Sequence, residues 1–95
     1  MEFEWDPIKA AANAKKHGVD FAQAVTVFSD PLEVTIPDPD HSAGERRFLS
    51  IGKSTGGELI VVAYTDRAGR VRIINARGAS SQERKAYEST HPGKR

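Results

Sequence analysis

The sequence contains no cysteine, which excludes disulfide frameworks, thiolate-bound zinc and cysteine nucleophiles together. It has no apolar run approaching the ~20 residues of a membrane-spanning helix. The start, MEFEWDP, is acidic and lacks the apolar segment of a secretory signal. There is no Walker loop and no GxGxxG fingerprint, and His, Asp and Glu do not fall at a recognisable metal-ligand spacing. Internal repeats and low-complexity segments are missing too. The expectation is a cytoplasmic protein without membrane contact, metal or other cofactor.

What is present fits a small folded domain. The 95 residues are 38% apolar and 28% charged, enough for one modest core. We expect a single domain over residues 1–90 and a frayed tail over 91–95. The net charge of +1 conceals an asymmetry, because residues 1–45 carry −6 and residues 46–95 carry +7. Such a split fits a basic surface for a polyanion, and equally two halves that neutralise each other on folding.

Periodicity changes once along the chain. Phe3-Glu4-Trp5 reads as a short extended start, and Asp6-Pro7 as an N-cap followed by proline at the first helical position. The helix runs through alanines and lysines to His17, with Gly18 as a left-handed stop. Asp20 and Gln23 have capping-box spacing, and Phe21, Ala24, Val25 and Phe28 form one apolar stripe, predicting a second helix. From Glu33 the period becomes two. Strands are expected over 33–36, 46–52, 58–65 and 70–78, with turns at 37–44, 54–57 and 66–69. The 58–65 segment is apolar on both faces and should be central. Ser80 and Glu83 form a second capping box, opening a last helix. The order predicts an α+β domain of two N-terminal helices, an antiparallel meander of about four strands and a C-terminal helix.

The segment Arg70-Val-Arg-Ile-Ile-Asn-Ala-Arg77 holds the most chemistry. Strict alternation would put Val71, Ile73, Asn75 and Arg77 on one face and Arg72, Ile74 and Ala76 on the other. With Arg46, Arg47 and Arg67 on neighbouring elements, several guanidiniums converge, which suits phosphate recognition. Pairing with Glu45, Asp66 or Glu83 would explain Arg72 and Arg77 structurally instead. His17, beside a helix C-terminus, is open to a capping role or to catalysis. His41 falls in a Pro/Asp turn, as an acid/base group or a plain loop residue. Trp5, Phe48, Tyr64 and Tyr87 are the rings able to stack on bases or to fill a core. Tyr87 shares a helix face with Glu83.

Taken together, Trp5-Asp6 with Lys9, Asn13, Lys16-His-Gly-Val19 and Phe21 resembles the start of the BrnT toxins. Phe28 with Asp30-Pro31, Asp40-His-Ser, Glu45-Arg-Arg47, Ile51-Gly52, Tyr64-Thr65 and Arg67 continue the likeness. Arg72-Ile-Ile-Asn-Ala-Arg77 with Glu83-Arg84 and Tyr87 completes it, over about Phe3 to Glu88. One departure is Asn75, where the family usually has serine. The resemblance implies a RelE-like fold and a metal-independent endoribonuclease of a type II toxin–antitoxin module that inhibits translation. It further implies neutralisation by a BrnA-type DNA-binding antitoxin, through which the complex reaches operator DNA. Arg67, Arg77, Glu45 and His17 are then the candidate catalytic residues. Lys16, Arg47, Arg72, Arg84 and Tyr87 are the candidates for binding RNA. Two alternatives stay open, a nucleic-acid-binding module that cleaves nothing and a protein-interaction domain.

Overall fold

The structure, a computed structural model, describes residues 1–38 and 45–90. His41, most of the 37–44 turn and the expected tail lie outside the described residues. The elements are β1 (Glu2–Glu4), α1 (Pro7–His17), α2 (Phe21–Val25), a 3-10 turn (Thr26–Ser29), β2 (Val34–Pro37), β3 (Arg47–Lys53), β4 (Leu59–Arg67), β5 (Arg70–Gly78) and α3 (Ser81–Thr90).

Local chemistry sets the ends of α1 as expected. The Asp6 carboxylate accepts from the Ile8 N–H at 2.8 Å, Pro7 occupies the first turn, and Gly18 closes the helix at φ 71°. The second helix is shorter than its apolar stripe suggests, because α2 tightens into the 3-10 turn after Val25. Its expected capping box does not form. Asp20 makes no side-chain cap, and the Gln23 amide is drawn away to the Glu58 carboxylate. The box at α3 does form: the Glu83 N–H donates to Ser80 Oγ at 3.1 Å and the Ser80 N–H to Glu83 Oε1 at 2.8 Å.

The sheet has five strands in the order β1-β5-β4-β3-β2. Strands β2 to β5 make the expected antiparallel meander, but β1 adds a fifth strand parallel to β5. The result is a mixed sheet, a difference from the expectation. The parallel register sets Glu2 beside Arg70 and Glu4 beside Arg72, so opposite charges face each other while Phe3 packs on the core. Strand β4 is central and almost wholly buried, as its apolar run requires.

One face of the sheet packs on α1 and α2. Its core joins Val19, Phe21, Ala24 and Val27 to Ile60, Val62, Val71, Ile73 and Ala76. Four rings extend it in a column, Phe3 against Phe28, Phe28 against Tyr64 and Tyr64 against Phe48, at centroid distances of 5.2–5.5 Å. Trp5 meets Phe21 edge-on at 6.0 Å. These rings are therefore core, and Arg46 lies over the end of the column, 5.5 Å from the Phe48 centroid. On the opposite face α3 covers a smaller cluster of Ile51, Leu59, Val61 and Tyr87.

A β-bulge in β5 overturns the face assignment that simple alternation gives. Ala63 pairs with Asn75, but the next residue, Tyr64, pairs with Ile73, leaving Ile74 extra. An extra residue shifts every later side chain to the other face. Val71, Ile73 and Ala76 thereby all reach the helix-packed core. Arg72 and Arg77, expected on opposite faces, come to the same one.

Beyond β1, the edge of β5 is hydrogen-bonded to α1 by one side chain. Asn13, only 7% exposed, accepts from the Ala76 N–H at 3.1 Å and donates to the Ala76 carbonyl at 2.8 Å. It also donates to the Val19 carbonyl at 3.1 Å. The amide stands in for a neighbouring strand at a position where unpaired backbone would be costly.

Candidate active site

Cross-strand register orders the second face in rows. Arg67 and Arg70 flank the β4–β5 turn. The next row on that face runs Arg47, Thr65, Arg72 and Glu4 across four strands. Then come Leu49, Ala63 and Asn75, and after them Ile51, Val61 and Arg77, where α3 begins to cover the sheet. The turn is tight, with Ala68 at φ 55° and Gly69 at φ 81°, so Arg67 and Arg70 emerge side by side.

At the open end, Arg67 Nη2 donates to Glu45 Oε2 at 2.9 Å, with side-chain exposures of 52% and 41%. The Glu45 carboxyl is held below its ordinary range by that hydrogen bond and by the positive charges of Arg67, Arg47 and Arg72. Arg72 Nη1 meets Glu4 Oε2 at 3.1 Å, and Arg70 Nε meets Glu2 Oε1 at 3.0 Å. Among the described residues Arg47 has no ion pair. Three guanidiniums thus act on one exposed carboxylate over a part of the sheet that no helix covers among the described residues.

Arg77 is placed differently. It grips Glu83 through two parallel hydrogen bonds of 2.7 Å each, the strong fork-to-carboxylate geometry. That grip, with the Ser80 N–H, pulls the Glu83 carboxyl down to about 2. Tyr87 is 6% exposed, and its hydroxyl donates to Asp30 Oδ2 at 2.6 Å. Burial first, then the Asp30 charge, push the phenol up to about 12. Asp30 also accepts from the Leu32 and Lys53 N–H groups at 2.9 and 2.8 Å. Gly52 leaves room for this knot, since a Cβ there would lie 2.9 Å from Val27 Cγ1. Arg77 and Tyr87 therefore anchor α3, and Tyr87 has no face turned to solvent for stacking.

Lys16 and His17 are brought to neither cluster. They line a cleft of about 240 Å³ between α1 and β5, together with Lys9, Ala12, Asn13, Ile74 and Asn75. Arg84 is exposed on α3 and has no ion pair among the described residues. The described residues hold no group of three or more His, Asp or Glu able to bind a metal. Gly52-Lys-Ser-Thr-Gly56 spells GxSxG, but Ser54 is 5% exposed in a β3–β4 hairpin and no helix follows it. It is not a nucleophile elbow.

Sequence reasoning missed Asn13 as the cap of β5, Glu4 as the partner of Arg72, and Asp30 as the anchor of Tyr87. An asparagine inside an alanine-rich helix was the visible signal for the first. The other two depend on long-range register.

An open, arginine-rich sheet face on a small α+β domain defines a surface suited to a polyanion. The family model described as "Ribonuclease toxin, BrnT, of type II toxin-antitoxin system" matches residues 5–83. The chain belongs to this BrnT family of ribonuclease toxins. Among solved structures, the crystal structure of the Brucella abortus ribonuclease toxin BrnT aligns with a TM-score of 0.63 at 28% identity. The alignment covers 84% of this chain and 97% of that one. No curated protein matches the chain.

Proposed function

We propose that this chain is the toxin of a type II toxin–antitoxin module and a metal-independent endoribonuclease whose site is the arginine face. The observation that carries the reading is the gathering of Arg47, Arg67 and Arg72 around the half-exposed Glu45 at the end of the sheet away from α3. RNA supplies its own nucleophile. The 2′-hydroxyl attacks the adjacent phosphorus, the bond to the 5′-oxygen breaks, and a 2′,3′-cyclic phosphate and a 5′-hydroxyl remain.

Arg67, with Arg72 and Arg47 behind it, stabilises the charge that builds on the phosphorane oxygens. Glu45, ionised beside them, is the candidate base for the 2′-hydroxyl proton, and the leaving 5′-oxygen takes its proton from solvent. His17, held in the α1–β5 cleft apart from this cluster, is the candidate for positioning a neighbouring phosphate. Rows of arginine on one strand pair bear on Arg77. Arg67 and the Val61 partner of Arg77 are six residues apart on β4, about 20 Å at ~3.3 Å per residue. Arg77 therefore serves a different phosphate of the same strand, or positions α3. Lys16 and Arg84 bind flanking phosphates, and Tyr87 contributes by holding α3.

The RelE-like relation implied by the sequence resemblance supports cleavage without metal. Residues 1–90 act as a single toxin domain in the cytoplasm, where cleaving RNA inhibits translation. Neutralisation follows when a BrnA-type, DNA-binding antitoxin covers the basic face and links the complex to operator DNA.

A second reading is favoured by one observation, that Arg67, Arg70, Arg72 and Arg77 already have carboxylate partners. A protein-interaction domain would keep such pairs. Incubating the protein with a defined RNA, with and without EDTA, separates the two. Cleavage that survives EDTA and leaves cyclic-phosphate ends supports the ribonuclease. Intact RNA, on ribosomes as well as free, supports the interaction domain.

A further inference from the structure

We propose that the cleft between α1 and β5 binds one nucleotide of single-stranded RNA between two of its phosphates, with Asn75 reading the base. The inference rests on the ribonuclease reading and deepens it. The four arginines of the sheet face must release a carboxylate before they can hold a phosphate. The cations of the cleft need not. Among the described residues Lys9, Lys16 and His17 form no ion pair, and no carboxylate lines the cleft.

Lys9 is the residue that helix chemistry leaves unexplained. Lys16 and His17 sit in the last turn of α1, where the helix dipole favours a cation. Lys9 lies at the third position, where the dipole disfavours one, and beyond the Asp6 cap, whose carboxylate is taken up by the Ile8 N–H, the first turn holds no acid. Seven residues separate Lys9 from Lys16, roughly 10 Å along the helix axis at ~1.5 Å per residue. The two ends therefore suit two successive phosphates rather than one.

The floor between them is Ala12, Ile74 and Asn75, an apolar rest for a base or ribose beside an amide that both donates and accepts. The bulge at Ile74 turns Asn75 to the face it shares with Ala63, and at the edge of β5 it still borders the cleft. In register terms Asn75 lies between the Arg72 and Arg77 rows, so a strand leaving the cleft passes directly onto the arginine face. Base-edge hydrogen bonding in single-stranded RNA is the task such an amide fits.

The test measures binding of fully 2′-O-methylated oligoribonucleotides, which lack the attacking hydroxyl, by fluorescence anisotropy across a salt series. Lys9→Gln should weaken binding at least fivefold and lower the slope of log Kd against log salt by roughly 0.7, one phosphate contact. Its melting temperature should equal or exceed wild type, since a cation leaves the first turn. Asn75→Asp should change the affinity ranking of the four homopolymers. A wild type that binds while Lys9→Gln keeps its affinity and slope overturns the inference alone, as does a Lys9→Gln protein that melts well below wild type. An unchanged ranking in Asn75→Asp overturns the base-reading role. A wild type that binds no RNA overturns the ribonuclease reading as well.

Discussion

On the face that meets α1 and α2, strands β4 and β5 contribute Ile60, Val62, Val71, Ile73 and Ala76 to a continuous core. On the opposite face the same two strands contribute Arg67, Arg70, Arg72 and Arg77. One ladder of backbone hydrogen bonds thus serves two purposes. Burial on the first face holds the fold, and the second face can spend its positions on charge because α3 shields only one end of it. The price of that freedom is small, since exposed ion pairs contribute little to stability.

The sharpest way to break this comparison is to damage the first face. Phe21 is 2% exposed, so Phe21→Ala should cost about 3–5 kcal/mol, read as a drop in denaturation midpoint. A loss no larger than that of a surface substitution would mean that stability does not reside there.

The Arg77–Glu83 clasp lies between the two regimes and should show as acid sensitivity. The folded Glu83 carboxyl lies near 2, below its ordinary value of 4.5. A depressed pKa gives stability that is present above pH ~4.5 and lost as pH falls towards 2. The loss should be roughly 1–2 kcal/mol, because solvent screening of a partly exposed pair leaves less than the full ~1.4 kcal/mol per unit. Glu83→Gln should flatten this acid limb in urea titrations at pH 2.5 and 5. A variant with the wild-type limb would place the acid sensitivity elsewhere.

Much of the fold was legible in sequence because its signals are local. Asp6-Pro7, Gly18, Ser80 with Glu83, and the apolar run of β4 each act within a few residues. The capping box at Asp20 was misread because Gln23 has a distant competitor in Glu58. The arginine face was misread for a similar reason. A bulge has no strong sequence mark, yet it decides which side Arg72 shares with Arg77. That Glu4 is the partner of Arg72 depends on a parallel edge strand, which is not visible in a period of two, whereas Glu83 was among the expected partners and pairs with Arg77.

The most direct measurement is the cleavage rate of Arg67→Ala beside its melting temperature. Arg67 is half-exposed and its pair with Glu45 lies at the surface, so the melting temperature should stay within a few degrees of wild type. Cleavage should fall by about 100-fold or more, as when a preorganised donor to a developing oxyanion is removed. A folded Arg67→Ala protein that cleaves at the wild-type rate would contradict the assignment of catalysis to the arginine face.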